Sequence, residues 1–303
     1  QPKLTTAAQV MASIAPQRAA VPTPVLPDVE ARQQLFAFEQ HNIGKKQHLA
    51  KLLNWALHDV LAQYSNTVVF GEDVGKKGGV YGVTQHLVHA FGSNRVINTL
   101  LDEQSILGMA IGLSQQGFIS IPEIQFLAYV HNAEDQIRGE AATLPFFSNG
   151  QYHNAMVIRI AGLAYQRGFG GHFHNDNSFA VFRDIPGVIL LCPSNGYDAA
   201  LLLRQAVQLA HQQKRLVIFL EPIALYMTRD LATVSDGMWL RDYPSPDAPL
   251  PSLGEPAVYG DGDSERVIGG LAGSLFKRED IVLATKAGIT FPGGIRTVNN
   301  SRT

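Results

Sequence analysis

The sequence predicts an α/β fold in which a doubly wound, mostly parallel β-sheet lies between two layers of helices. Short apolar runs alternate with segments of ten or more residues that have helical periodicity over most of the chain. Strands that are separated by such helices pair in parallel through right-handed crossovers. Glycine-containing loops follow several of the runs, at the sheet edge where these folds bind ligands. These observations predict a three-layer fold with a site at one edge.

The first predicted helix covers residues 49–61, where Leu, Ala and Val side chains fall on one helical stripe. Apolar runs predict strands at 67–70, 118–125, 155–161, 187–192 and 216–220. Helical periodicity between them predicts helices at 105–116, 129–143 and 197–212, and a short helix at 5–13 precedes the ordered region. Because parallel strands end at one edge, we expect the loops 71–80, 122–129 and 162–176 to lie there together.

Composition excludes several classes of protein. The 24 Lys and Arg residues nearly balance the 26 Asp and Glu residues. The chain therefore lacks the excess of positive charge that favours binding to nucleic acid or to an anionic membrane. The longest apolar runs are far shorter than the ~20 residues of a membrane-spanning helix. A single cysteine, Cys192, excludes an intrachain disulfide and a Cys-based zinc site. We therefore expect a cytoplasmic protein that binds neither nucleic acid nor membrane.

Four segments of different composition are predicted along the 303 residues. They are a Pro- and Ala-rich linker at 1–44, the main domain at 45–235, a proline-rich linker at 236–259 and a dissimilar segment at 260–303. The chain starts at Gln1 rather than at Met and stops at Thr303 without a finished element. We therefore expect one complete domain flanked by pieces of others.

Two clusters of polar and aromatic residues have simple structural interpretations. Asp102 and Glu103 precede a predicted helix, and acidic residues are favoured at a helix N-terminus. Phe126 and Tyr129 are most simply core aromatics. The glycines at 75–82 spell neither a P-loop nor a dinucleotide fingerprint, so those two nucleotide sites are excluded.

A third cluster is the loop at 168–177, which contains four glycines and two histidines. His172 and His174 with Asp176 suggest a metal site, but a third strong ligand at a recognisable spacing is missing. A flexible loop that presents an imidazole for proton transfer is the better functional interpretation. A surface loop with incidental histidines is the simpler alternative, and the glycine content favours function.

Four runs of sequence resemble one family throughout. They are GEDVGKKGGVYGVTQHLVHAFGSNRVINTLLDEQSILGMAIG, PEIQFLAYVHNAEDQIRGEAA, GGHFHNDNSFAVFRDIPGV and FLEPIALY. Together they resemble the β-type, transketolase-like pyrimidine-binding part of the thiamine diphosphate-dependent 2-oxo acid dehydrogenases, the first components of the pyruvate and branched-chain dehydrogenase complexes. The match covers about residues 46–230 in the expected order. Residues 1–44 resemble the link that follows the α-type part in fused forms.

The resemblance implies a catalytic and cofactor-binding role for Glu103. It matches the family's carboxyl group that hydrogen-bonds a ring nitrogen of the aminopyrimidine and favours the imino tautomer, which activates the thiazolium carbon. The cofactor then serves as the electron sink for decarboxylation. Glu72 is expected to join the same buried group of acids near the cofactor.

The resemblance also assigns aromatic and imidazole residues. Tyr129 matches the aromatic that packs against the pyrimidine ring, and Phe126 is a second candidate for contact with the cofactor. His174 matches the loop histidine near the reacting carbon, a proton donor or stabiliser during acyl transfer to lipoamide. His172 is expected to assist it.

The resemblance implies partners that hold what this chain lacks. The family binds the diphosphate and Mg²⁺ through a GDG…N motif on a partner α-type domain. Here Gly260-Asp261-Gly262 and Asn299-Asn300 imitate that motif, but a long gap separates them and no buried strand leads into the first glycine. We predict no metal ligands in this chain, an α-type domain or second protomer as partner, a lipoyl-bearing acyltransferase, a 2-oxo acid substrate and an oligomer.

The C-terminal segment departs from the family. Residues 263–288 resemble the early region of an aldo-keto reductase, with Tyr259 and Lys286 at the places of that family's catalytic tyrosine and lysine. Gly254 stands where its aspartate is expected, and about forty residues cannot close an eight-stranded barrel. We predict no reductase activity; an ordinary helix–strand appendage is the alternative.

The expected function is the pyrimidine-binding half of a 2-oxo acid dehydrogenase, which is inactive without the diphosphate-binding partner. Two alternatives stay open at this point. One is a transketolase-type carboligase that acts on sugar phosphates. The other is a non-catalytic remnant that only mediates association.

Overall fold

The computed structural model describes residues 6–14, 21–164, 171–251 and 253, together with two short strands near the C-terminus. The chain divides into two compact units, residues 1–251 and residues 252–303. In the second unit the described part is an antiparallel pair of strands, Ile289–Thr290 and Thr297–Val298. The predicted site residues all lie in the first unit.

The first unit contains a six-stranded sheet in which all neighbouring strands are parallel. The strands are β1 (Thr67–Gly71), β2 (Val96–Asn98), β3 (Ile119–Ile124), β4 (Met156–Gly162), β5 (Val188–Leu191) and β6 (Leu216–Pro222). Their order across the sheet is β2-β1-β3-β4-β6-β5. The predicted parallel α/β fold is confirmed. The sequence does not predict β2, because a three-residue strand is too short to form a distinct apolar run.

Helices pack on the sheet and begin at polar caps. The α-helices are α1 (Ala7–Ile14), α2 (Val29–Leu35), α3 (Leu49–Gln63), α4 (Leu87–Phe91), α5 (Glu103–Gln115), α6 (Leu144–Phe147), α7 (Gly196–Gln213) and α8 (Ile223–Tyr226). The caps of α3, α5 and α7 are His48, Asp102 and Asn195, whose side chains accept hydrogen bonds from backbone N–H groups three residues ahead. These caps fix where each long helix starts.

The core has two sides because strand side chains alternate between the faces of the sheet. Val68 and Phe70 of β1 pack in one cluster with Ile106 and Leu107 of α5. Val69, between them in sequence, is also fully buried and points to the opposite face. Helices α3 and α7 pack against each other and against the sheet. A layer of helices on each face leaves the ends of the strands as the place for a site.

One predicted helix takes a different form. The sequence predicts a continuous helix at 129–143, but the chain forms a 3₁₀ helix at Leu127–Asn132, a π-helix at Gln136–Ala141 and then α6. Ala133, Ile137 and Ala141 are buried at four-residue spacing, which is the apolar period that predicts a helix. The hydrogen bond from Ala142 N to Ile137 O spans five residues, as in a π-helix. The spacing of apolar residues therefore identifies the buried face of this segment but does not distinguish the type of helix.

Asp59 on α3 joins segments that flank the sheet in sequence. Its carboxylate accepts hydrogen bonds from Arg32 of α2 at 2.9 and 3.1 Å, from Tyr243 Oη at 2.5 Å and from Arg204 of α7 at 3.3 Å. Arg204 also donates to the backbone oxygen of Ser245 at 2.7 Å. Asp59 is 3% exposed, so the two guanidinium groups compensate a buried charge. Parts of both predicted linkers therefore contact the main domain, and the boundaries at 44 and 235 stay predictions.

The residues on which the predictions for the C-terminal segment rest lie outside the described part of the chain. These are the GDG string at 260–262, the asparagines at 299–300 and the reductase-like positions 254, 259 and 286. The resemblance of residues 263–288 to an aldo-keto reductase therefore stays a prediction. None of the described helices is long and apolar enough to cross a membrane.

Stability is expected to depend on pH through His58 on α3. The imidazole is fully buried among Phe36, Phe38 and Phe91, and burial lowers its pKa to about 4. The folded state keeps His58 neutral while the unfolded chain takes up a proton below its ordinary pKa. Stability therefore falls as the pH falls from 6.5 to 4, by about 3 kcal/mol for this group.

The measurement is urea unfolding at several pH values. His58→Phe, which places an aromatic ring in an aromatic cluster, should flatten the dependence between pH 7 and 4, whereas His89→Phe at an exposed position should keep it. The same pH slope in His58→Phe and wild type would contradict this assignment.

Candidate active site

The carboxyl ends of β1, β3 and β4 lie side by side and gather the candidate residues. The register pairs Gly71 with Glu123 and Ile124 with Ile160. A Cβ atom at Gly71 would lie 2.8 Å from the backbone oxygen of Glu123, so glycine allows the end of β1 to pass close to β3. The three predicted loops leave the sheet from this edge, as the alternation of strands and helices predicts.

Glu103 is the first residue of α5 and is 7% exposed. The preceding Asp102 accepts the capping hydrogen bond from Ser105 N at 3.3 Å. Glu103 is therefore not needed as the cap, and its Oε2 atom accepts a hydrogen bond of 3.2 Å from Asn132 Nδ2. The positive end of the helix dipole favours a negative charge at this place. The predicted helix start is present, and the carboxyl group is turned towards the segment that follows β3.

Glu72 follows β1 and brings a second carboxyl group towards the same region. Its Oε2 atom is buried and has no hydrogen-bond partner among the described residues. Burial raises the pKa of Glu72, the negative charges of Asp73 and Glu103 raise it further, and Lys77 opposes them. Glu72 therefore holds its proton more strongly than an exposed glutamate does.

Tyr129 and His174 meet across two loops. Tyr129 Oη and His174 Nε2 lie 3.3 Å apart. Phe126 supports the pair, with its ring centroid 4.5 Å from that of His174 at 86° and 5.6 Å from that of Tyr129 at 77°. Phe126 is 3% exposed, whereas Tyr129 and His174 are partly accessible. Phe126 thus backs the group, and Tyr129 and His174 present its reachable surface.

His172 is placed differently from His174. It is exposed, and its ring lies 4.0 Å from that of Phe173. Among the described contacts none joins His172 to Glu103, Tyr129 or His174. The structure therefore brings together Phe126, Tyr129 and His174 but leaves His172 at the outer side of the loop.

A buried ion-pair network that the sequence analysis did not identify lies beneath this edge. Arg159 on β4 donates to Glu123 on β3 at 2.6 Å, and to Glu221 on β6 at 2.6 and 2.9 Å. Tyr226 Oη also donates to Glu221. All four residues are at most 8% exposed.

The opposite charges in this network stabilise one another's ionised forms. Burial alone would lower the pKa of Arg159, but the carboxylates of Glu221 and Glu123 outweigh it and raise that pKa. Burial raises the pKa of Glu123, and Arg159 opposes that rise. A signal for the network was available in the sequence, because each of three apolar strands contains one charged residue. Such a residue in a buried strand needs a partner on a neighbouring strand.

Aromatic residues connect the network to the candidate site. The ring of Tyr81 lies 5.1 Å from that of Tyr226 and 6.5 Å from that of Phe126. Tyr81, Arg159 and Tyr226 line one small cleft at the sheet edge. Within the described residues, no group of three or more His, Cys, Asp and Glu side chains is arranged to hold a metal ion.

Open parallel α/β sheets bind ligands outside the carboxyl ends of their strands, and here that edge carries acidic, aromatic and imidazole side chains. The chain belongs to the family described as transketolase, pyrimidine binding domain, which matches residues 45–228. This match confirms the resemblance inferred from the sequence motifs.

Curated relatives carry names from the 2-oxo acid dehydrogenases. The chain is 36% identical over 236 residues to the mitochondrial 2-oxoisovalerate dehydrogenase subunit beta of Dictyostelium discoideum, a match that covers 77% of this chain and 59% of the relative. It is 36% identical over 183 residues to the pyruvate dehydrogenase E1 component subunit beta of Staphylococcus epidermidis, covering 59% of this chain and 53% of the relative. The chain thus spans between half and three fifths of the length of these relatives.

Among solved structures, a split-gene transketolase described as an inactive beta4 tetramer aligns with a TM-score of 0.44 and 18% identity. That alignment covers 57% of this chain and 50% of the other.

Removal of the central guanidinium is expected to destabilise the domain strongly. Arg159→Met leaves the carboxyl groups of Glu123 and Glu221 buried without a counter-charge, which costs about 3–5 kcal/mol of unfolding free energy. Chemical denaturation measures the loss. Arg183→Met is the matched control, because the side chains of Arg183 and of its partner Asp184 are about three quarters exposed, and it should leave the unfolding free energy close to the wild-type value.

The double variant Arg159→Met/Glu221→Gln should recover part of the stability that Arg159→Met loses, since it removes one of the unpaired charges. A loss below about 1 kcal/mol for Arg159→Met, which is the range of exposed ion pairs, would contradict the buried network.

Proposed function

We propose that this chain is the pyrimidine-binding half of a thiamine diphosphate-dependent 2-oxo acid dehydrogenase. In that role it takes part in decarboxylation of a 2-oxo acid and reductive acylation of a lipoyl group on a partner acyltransferase. The observation that carries the proposal is the placement of Glu103. Its buried carboxyl group lies at the N-terminus of α5, beside the segment that contains Tyr129, whose hydroxyl contacts His174 of the loop after β4.

The side chains at the sheet edge fit an aminopyrimidine ring. Such a ring offers nitrogen donors and acceptors at its rim and a flat face. Glu103 supplies one carboxyl group, and Glu72 supplies another whose buried Oε2 atom has no hydrogen-bond partner within the described part of the chain. Tyr129 supplies a partly exposed aromatic face. When bound, thiamine diphosphate supplies the electron sink for loss of carbon dioxide. Glu103 would hold a proton at the ring nitrogen that it faces.

His174, which Tyr129 contacts, is the second group of the site that would transfer a proton. An imidazole exchanges protons near neutral pH, and the nearby phenol keeps one ring nitrogen directed by a hydrogen bond. In the proposed reaction His174 donates a proton or stabilises negative charge at the substrate during acyl transfer. His172, at the outer side of the loop, assists as a second imidazole near the entrance. Phe126 holds the ring of His174 in place through its edge-to-face contact.

The proposal requires a partner that binds the diphosphate and Mg²⁺, an α-type domain or a second protomer. Two apolar residues directly before Asp102, the cap of α5, support this. Leu100 and Leu101 are 83% and 66% exposed, although they lie beside the candidate site. A partner that covers them would remove apolar surface from water and close the site. We place the resulting oligomer in the cytoplasm, where the lipoyl-bearing acyltransferase is its second partner.

The test of the proposal is complementation with a purified α-type diphosphate-binding subunit. The wild-type chain should then oxidise pyruvate or 2-oxoisovalerate with an artificial electron acceptor, and Glu103→Gln should lower kcat by about 10²–10⁴-fold because it removes a positioned acid–base group. Glu140→Gln is the matched control, since Glu140 is exposed on the segment after β3. It should keep the wild-type rate.

Calorimetric titration of thiamine diphosphate with Mg²⁺ completes the test. Binding should appear with the partner and be weak without it. Full complemented activity in Glu103→Gln would contradict the role of Glu103. Loss of cofactor binding with and without the partner would instead favour a remnant that only mediates association.

A further inference from the structure

A group of polar contacts joins the loop of His174 to the segment of Tyr129 on the outer side of the site. We propose that His131 is a positioning residue that holds the His174 loop against this segment. The His131 clasp is defined as His131, Glu134, Asp176 and Ser178. The inference rests on the proposed function for its catalytic consequence, but its structural content can be measured on the chain alone.

The clasp has contacts on both sides of the imidazole. His131 Nε2 lies 3.0 Å from Ser178 Oγ and 3.9 Å from Asp176 Oδ2. Ser178 Oγ donates its own hydrogen bond to Asp176. On the other side, His131 Nδ1 lies 3.3 Å from Glu134 Oε2. One imidazole therefore bridges a residue of its own segment and two residues of the His174 loop.

The hydrogen-bond directions in the clasp are set by Ser178. Its hydrogen goes to Asp176, so its oxygen accepts from Nε2–H of His131. The Nδ1 atom of His131 faces the carboxyl group of Glu134. An ionised carboxylate has no hydrogen to donate, so it can act only as an acceptor. Both ring nitrogens of His131 therefore face oxygen atoms, one on its own segment and one on the His174 loop.

The 3₁₀ helix Leu127–Asn132 explains why His131 suits this role. Side chains three residues apart share one face of a 3₁₀ helix, so Tyr129 and Asn132 point in similar directions. Tyr129 reaches His174 and Asn132 reaches Glu103. His131 lies off that face and reaches Ser178 instead. One short segment thus positions both proposed proton-handling groups, and the clasp attaches the loop to it four residues after His174.

The expected size of the effect is moderate because the clasp is partly exposed. The side chains of His131, Glu134 and Asp176 are 46%, 36% and 24% exposed. The hydrogen bond to Ser178 and the contact with Asp176 are the two contacts of His131 that cross to the loop, and losing both shifts the opening equilibrium of the loop by about tenfold. The clasp therefore orders the loop without deciding whether the domain folds.

The first measurement is amide hydrogen exchange of the full chain, followed by mass spectrometry of peptides that contain residues 171–179. His131→Leu should speed exchange there about tenfold and leave the exchange of β3 and β4 unchanged. His131→Gln keeps one donor for Ser178 and should restore part of the protection. His89→Leu, at an exposed histidine of α4, should match wild type. Unchanged exchange of residues 171–179 in His131→Leu overturns the clasp.

The second measurement is the complemented 2-oxo acid dehydrogenase assay. His131→Leu should lower kcat several-fold with little change in KM for the 2-oxo acid, because His131 orients His174 and does not contact the substrate. His131→Gln should recover part of kcat. If the wild type is active and His131→Leu exchanges faster but keeps the wild-type kcat, the positioning role is overturned. A wild-type chain that is inactive with the partner overturns the proposed function instead, and the exchange rates still decide whether the clasp exists.

Discussion

The pairing of one buried guanidinium with two carboxylates in the middle of the sheet is the constraint on which the site depends. Arg159 joins β3, β4 and β6, and it can be buried only while both Glu123 and Glu221 face it. This requirement favours one register of the three strands relative to one another. The loops that leave β3 and β4, which contribute Tyr129 and His174, then start at fixed points.

The fold was predictable because its signals are local and repeated. Apolar runs that alternate with helical periodicity specify a parallel sheet wherever they occur, and the loops after β1, β3 and β4 meet at one edge for the same reason. The form of the segment after β3 was not predictable. Its buried positions recur every four residues in an α-helix and in the observed mixture of 3₁₀ and π-helix, so the pattern does not distinguish them.

The site was predictable in part. The resemblance of the motifs predicts roles for Glu103, Tyr129 and His174. Without that resemblance, the residues themselves predict only a helix start at Glu103 and a core aromatic at Tyr129. Glu103 does begin α5, as the helix-start interpretation predicts. Because Asp102 serves as the cap, the carboxyl group of Glu103 is also available for the role that the resemblance implies. The contact between His131 and Ser178 was beyond prediction, since it joins residues 47 positions apart through two loops. A sequence contains no periodicity that reports such a contact.

The three-residue turn of the segment at Leu127–Asn132 has a consequence for how this site can change. Successive side chains on a 3₁₀ helix are rotated by about 120°, so each neighbour in sequence points to a different part of the domain. Deleting or inserting one residue there would turn Tyr129 away from His174 and would move Asn132 away from Glu103 at the same time. The spacing within these six residues is therefore under as strong a constraint as their identities. A substitution there changes the contacts of one side chain, whereas a change in length changes the direction of several side chains at once.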